Sequence, residues 1–153
     1  VDRFGPPGDF YRPQRLCDQW REVLGIDVQP ELVDINAFVE QMAHDPPGLY
    51  VVGWLADYPS ADSFLRVALE VGLIARGWSD ARYTQLVTSA PHLIDRREYM
   101  EAYHQADRIL IEEAVVVPLW YDQLHFLVKP WVHGLRVSPL GLVRYKEVLL
   151  VSH

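Results

Sequence analysis

Pro46, Pro47 and Gly48 close off a helical pattern and release the chain into Leu49-Tyr50-Val51-Val52-Gly53-Trp54. Prolines cannot continue a helix, and the run after them is apolar without alternation. That pattern predicts a central strand covered on both faces, in the middle of a sheet. Its end leads directly into Ala56-Asp57-Tyr58-Pro59-Ser60, so an acid and an aromatic residue stand just beyond the strand's carboxyl end. In open α/β sheets this is where ligands usually bind.

The flanking patterns supply helices. Leu16, Cys17, Trp20, Val23 and Leu24 follow helical spacing, and Gly25 provides the left-handed residue that commonly ends a helix, which predicts a helix over 13–24. Ile26, Val28 and Leu32 suggest a half-buried strand. Asp34 then caps a helix whose face carries Ile35, Phe38, Val39 and Met42, with Val33 and Phe38 at hydrophobic-staple positions. Further on, Ser79 is the expected cap of a helix with Asp80 in its first turn, Trp78 and Tyr83 as staple, and Pro91 at its end. Asp95 and Glu98 resemble a capping box opening the longest helix, on which Tyr99, Tyr103, Ala106 and Leu110 form a stripe expected to pack across the sheet. Val115–Tyr121 reads as a strand made an edge or a bulge by Pro118, with His125–Val128 as its neighbour. Pro130, Gly134, Pro139 and Gly141 divide the tail into short extended pieces. The order of elements points to one α/β unit, a mixed sheet flanked by helices.

Composition removes several function classes. Half of the 153 residues are hydrophobic, enough for one domain with a proper core. Fourteen basic against 21 acidic residues give a net charge of −7, and the basic residues form no run, which argues against a nucleic-acid surface. The longest apolar runs, Leu49–Val52 and Ala114–Trp120, fall far short of the roughly 20 residues of a membrane-spanning helix. The opening Val-Asp-Arg-Phe-Gly-Pro-Pro-Gly holds no basic stretch followed by an apolar one, so no secretion signal is read there. Cys17, the single cysteine, lies on the apolar stripe of the first helix and reads as a buried, inert thiol.

Catalytic and metal chemistry find little support. His44, His92, His104, His125, His133 and His153 form no HExxH pair, so no metal or other cofactor is expected. Neither a phosphate-binding glycine loop nor a GxSxG elbow is present. Of the carboxylate pairs, Glu98/Glu101 and Glu112/Glu113 read as solvated helix surface, with His104 on the same polar side. Asp57 differs, because it follows a buried strand and is bracketed by Trp54, Tyr58 and Pro59. It reads either as a turn residue or as a carboxylate that receives the positive end of a ligand.

Trp54-Leu55-Ala56-Asp57-Tyr58-Pro59, then Phe64-Leu65, then Gly77-Trp78-Ser79 and Tyr83, resembles the succession in family 5 extracellular solute-binding proteins, the peptide and oligopeptide receptors of ABC importers. Arg97, Tyr103, Ala106, Leu110 and Glu113 agree, as do Val117-Pro118-Leu119-Trp120-Tyr121, Leu127-Val128-Lys129-Pro130-Trp131-Val132, Gly134 and Ser138-Pro139-Leu140-Gly141. The ordered matches run from about Trp20 to Val148. Ser60-Ala61, where many relatives have an acid and a proline, and Thr84, where an aspartate is common, depart from the pattern.

The resemblance implies a type II periplasmic-binding-protein fold, in which two lobes close over a ligand, with this chain as the carboxy-terminal lobe. The other lobe and the strands crossing between lobes are then expected before Val1. By the same resemblance, Asp57 receives the amino-terminal ammonium of a peptide while Trp54 and Leu55 line the site. The implied partners are a peptide or other small solute, the amino-terminal lobe and an ABC transporter permease. The implied location is extracytoplasmic, periplasmic or lipid-anchored, and no catalytic turnover is expected. Two rival readings remain at this point: a solute-sensing module fused to a DNA-binding regulator in the cytoplasm, and a carbohydrate-active enzyme using Asp57 with Asp62.

Overall fold

The computed structural model describes residues 11–121, 123 and 125–152. The opening segment searched for a secretion signal lies outside the described residues, and so does His153. The described residues form helices together with small antiparallel sheets.

Helix α1 spans Tyr11–Leu24, with Cys17 buried as its spacing predicts. Gly25 ends it in the left-handed region at φ 68°, and its N–H returns to the Arg21 carbonyl at 3.1 Å. Helix α2, Ile35–His44, begins where the Asp34 carboxylate accepts the N–H groups of Asn36 and Ala37. It buries Phe38 and Met42, and Phe38 meets the Tyr50 ring at 5.8 Å. A π-helical turn, Ser63–Val67, runs into the short α3, Ala68–Glu70.

Helix α4, Ala81–Ser89, starts one residue later than the sequence reading: Asp80, not Ser79, is its cap, because the Asp80 carboxylate accepts the Tyr83 N–H at 3.0 Å. Trp78 and Tyr83 still meet edge to face at 5.1 Å. A 3₁₀ turn at Ala90–His92 contains Pro91 and leads to α5, Arg96–Glu112, capped by Asp95 on the N–H groups of Arg97 and Glu98.

The core lies where α4 and α5 pack on each other and on the π-helical turn. Tyr83, Val87, Ala90, Ala102, Tyr103, Ala106 and Leu110 are its buried members, with Leu65, Leu69, Val115 and Val116 against them. Alanines at 90, 102 and 106 let the helices approach closely, and the tyrosines fill the space this leaves. Arg82 ties the two helices at their ends, reaching Asp80 and Glu113 at 2.6 Å each.

The mixed sheet expected from the sequence is not formed by the described residues. Leu49–Trp54 carries no strand ladder, and the same holds for 26–32, for 115–121 and for 125–128 within the described part. Helix α5 therefore packs on helix, not across a sheet. The physical reason is that an apolar segment becomes a strand only when a neighbour supplies hydrogen bonds, and no described segment forms a ladder with these. The only ladders among the described residues are in the tail. There β1 (Val132–His133) pairs with β4 (Leu149–Leu150), and β2 (Arg136–Val137) with β3 (Val143–Arg144), both antiparallel. Gly134, at φ 76°, is required between them, since a Cβ there would stand 2.1 Å from the Glu147 carbonyl oxygen.

The unladdered segments leave large apolar side chains in solvent: Tyr121 is 95% exposed and Leu127 96%, with Val117, Trp120 and Phe126 exposed nearby in sequence and Leu49 exposed in the earlier segment. Isolated as 153 residues, the chain is expected to self-associate with rising concentration, which sedimentation velocity will detect as a shifting weight-average coefficient. Within the helical core, Leu110→Ala is expected to lower stability by about 3 kcal/mol in urea unfolding, whereas Val39→Ala on the exposed side of α2 will change it little.

Candidate functional site

The segment Trp54–Ser60 leaves the extended run and turns into the helical stretch that includes Ser63–Val67. Leu55 is 70% exposed and Asp57 is exposed, while Ala56 between them is buried. Alternation across this short stretch thus anchors the backbone through Ala56 and presents Leu55 and Asp57 to solvent. Trp54 is half-buried, and its indole N–H is buried without a hydrogen-bond partner among the described residues. Two shallow surface grooves lie elsewhere, one between α4 and α5 around Arg82 and Arg108, the other between α1 and Leu119–Trp120. Neither includes Trp54, Leu55 or Asp57; of these, Leu55 and Asp57 stand at the exposed surface and Trp54 beneath it.

What holds that face is a network the sequence reading did not foresee. Ser63, fully buried, accepts the Asp57 N–H on its hydroxyl oxygen at 3.0 Å, and its hydroxyl lies 3.5 Å from Asp57 Oδ2. Next to it, Asp62 is 6% exposed and accepts hydrogen bonds from the Tyr58 and Tyr103 hydroxyls. Arg66 completes the shell in a forked contact, Nε to Oδ1 at 2.8 Å and Nη2 to Oδ2 at 2.5 Å, and extends Nη1 to Glu70 at 3.0 Å. Ser60 Oγ accepts the Asp62 N–H at 3.1 Å and shares a 2.5 Å hydrogen bond with the Tyr99 hydroxyl.

Asp62 and Arg66 are four apart, which brings them together on one helical face; that spacing was readable. The link to Tyr103 spans 41 residues and was not. The π-helical turn is also invisible in the pattern. It is marked by the Ala68 N–H reaching back to Ser63, and such turns recur at functional sites.

The electrostatics follow. The Arg66 guanidinium, helped by the two phenols, outweighs the cost of burial and holds the Asp62 carboxyl down at about 2. Burial, with the Asp62 hydrogen bond, pushes the Tyr103 phenol up, and burial does the same to Tyr83, whose hydroxyl donates to the Leu65 carbonyl. Asp62 is therefore an ionised structural anchor with both oxygens occupied. This corrects its reading as the partner of Asp57 in a glycosidase pair, because a general acid there needs a raised pKa and a free oxygen. Glu98, Glu101, Glu112 and His104 are solvated, as their positions on α5 suggested. Among the described residues no three His, Cys, Asp or Glu converge on a common point.

No family model matches the chain. Individual relatives do. It is 31% identical over 136 residues to the dipeptide-binding protein DppE of Bacillus subtilis, covering 87% of this chain and 25% of that protein. It is 26% identical over 136 residues to the periplasmic oligopeptide-binding protein OppA of Salmonella typhimurium, covering 88% and 25%. A third, the probable deoxycholate-binding periplasmic protein YgiS of Escherichia coli, is 27% identical over 140 residues, covering 90% and 26%. This places the chain among the family 5 extracellular solute-binding proteins. It spans about a quarter of the length of these curated relatives, which are named as binding proteins and not as enzymes. No helix among the described residues is long and apolar enough to cross a membrane.

Because Asp62 titrates at about 2 when folded against an ordinary 3.8, the unfolded chain takes up the proton first as pH falls. Its stabilisation is complete above the ordinary value and is lost as pH falls through the folded value. Asp62→Asn is expected to cost about 2–3 kcal/mol at neutral pH, since it leaves the partly screened Arg66 without its buried charge partner and with only the exposed Glu70. It will also flatten the decline in urea midpoint between about pH 4 and pH 2 relative to wild type. Asp80, likewise held at about 2 by Arg82, titrates over the same range in both proteins and cancels in the comparison.

Proposed function

We propose that this chain is the carboxy-terminal lobe of a two-lobed receptor of the type II periplasmic-binding-protein fold. The receptor binds a peptide or similar small solute by hinge closure and delivers it to an ABC transporter permease. Asp57 receives the ligand's ammonium group, and Trp54 and Leu55 contribute to the surface around it. The lobe carries out no chemistry of its own.

One observation carries this reading. Asp57 is an exposed carboxylate with no ion-pair partner among the described residues, while its buried neighbour Asp62 is neutralised by Arg66. Asp57 is therefore the exposed carboxylate of the turn that has no cationic side chain against it among the described residues, suited to a cationic group of a ligand. Exposed Leu55 beside it supplies apolar contact, and covering the face by a second lobe would remove water and strengthen the attraction. The unladdered extended segments support the two-lobe reading, since the amino-terminal portion would supply the strands they lack. The names of the relatives, a dipeptide-binding protein, a periplasmic oligopeptide-binding protein and a probable deoxycholate-binding periplasmic protein, support solute capture outside the cytoplasm.

In the full-length protein, Asp57→Asn is expected to weaken binding of a free-amino peptide roughly ten- to hundredfold by calorimetry, as befits one charge-assisted hydrogen bond. An N-acetylated peptide will bind both proteins alike. Undiminished affinity of the variant for free-amino peptides would remove Asp57 from the site.

A further inference from the structure

Asp57 stands in a turn, and a turn alone does not fix a carboxylate. We infer that Ser63 is a positioning residue that sets the direction of the Asp57 carboxylate, an inference that rests on the ammonium-binding reading of Asp57. The Ser63 hydroxyl has two roles at once. Its oxygen accepts the Asp57 N–H at 3.0 Å, which fixes the backbone from which the carboxylate projects. Its proton has Asp57 Oδ2, 3.5 Å away, as acceptor, which biases that oxygen inward and leaves Oδ1 as the outward acceptor.

The hydroxyl can do this because the backbone that carries it is held on both sides. Ser63 is fully buried, its N–H is held by the Ser60 carbonyl at 3.2 Å, and its own carbonyl accepts the Ala68 N–H across the π-helical turn. The preceding residue, Asp62, is clamped by Arg66 and by Tyr103 from α5. Rigidity of the helical core is thereby transmitted through one buried serine to an exposed acid six residues earlier. An oriented carboxylate binds more strongly than a freely rotating one, because the ordering cost is met on folding and not on binding.

The role separates from a purely structural one through ligand discrimination. The full-length protein is titrated by calorimetry with trialanine and with N-acetyl-trialanine, as wild type, Ser63→Ala, Asp57→Asn and the double variant. Wild type is expected to prefer the free-amino peptide by about tenfold or more. Ser63→Ala should reduce that preference several-fold while leaving affinity for the acetylated peptide unchanged, and should have no further effect once Asp57 is Asn. Equal losses for both peptides, or a Ser63→Ala protein that keeps the full preference, would overturn the role of Ser63 while leaving that of Asp57 standing. Absence of any preference in wild type, or its persistence in Asp57→Asn, would overturn both. Ser63→Cys, close in shape but a poor hydrogen-bond acceptor, carries the same comparison if Ser63→Ala does not fold.

Discussion

The buried carboxylate of Asp62 is the point on which the arrangement of this chain turns. An ionised acid out of water requires most of its lone pairs to be met, and three side chains from two parts of the sequence converge to do so: Tyr58 before it, Arg66 one helical turn after it, and Tyr103 from α5. Removing any of these groups leaves a desolvation cost uncompensated, so the turn after Trp54 and the helix pair α4 and α5 behave as one body. Ser60 and Tyr99 add a second tie between the same two regions. An exposed loop is in this way given the rigidity of a helical core without being buried in it.

That rigidity matters because the turn presents Asp57, an exposed acid with no ion-pair partner among the described residues. Arg66 cancels the charge of Asp62, leaving Asp57 as the uncompensated carboxylate of the turn. The extended segments elsewhere carry apolar side chains and no ladder among the described residues. Under the two-lobe proposal these features have one explanation: a ligand supplies the cation, and further polypeptide of a receptor about four times the matched length supplies the strands.

Local rules served well where the physics is local. Caps at Asp34 and Asp95, the glycine stop after α1, the burial of Cys17 and the apolar stripe of α5 all depend on residues within a turn or two of one another, and all were legible. The cap of α4 was misplaced by one residue because serine and aspartate stand side by side and both can accept the same N–H groups. The central sheet was overdrawn for a different reason. Apolar runs such as Leu49–Trp54 announce that they need to be covered, but not by what, and here the covering strand is absent from the described residues. Asp57 was singled out by its place after that run, whereas Ser63 gave no sign, since a lone serine in a helical stretch has no pattern to betray it.

From the sequence alone came helices α1, α2, α4 and α5, the caps at Asp34 and Asp95, the kinship with solute-binding receptors and the candidacy of Asp57, because each is encoded in neighbouring residues or in the order of short motifs. Only the tertiary structure decided that Asp62 is an anchor and Asp57 the exposed acid. The two lie five residues apart with the same side chain, and what separates them is a phenol 41 positions downstream from Asp62, brought in by the packing of α5. A carboxylate's role is set by how much water and which partners surround it, and that is a property of the folded neighbourhood.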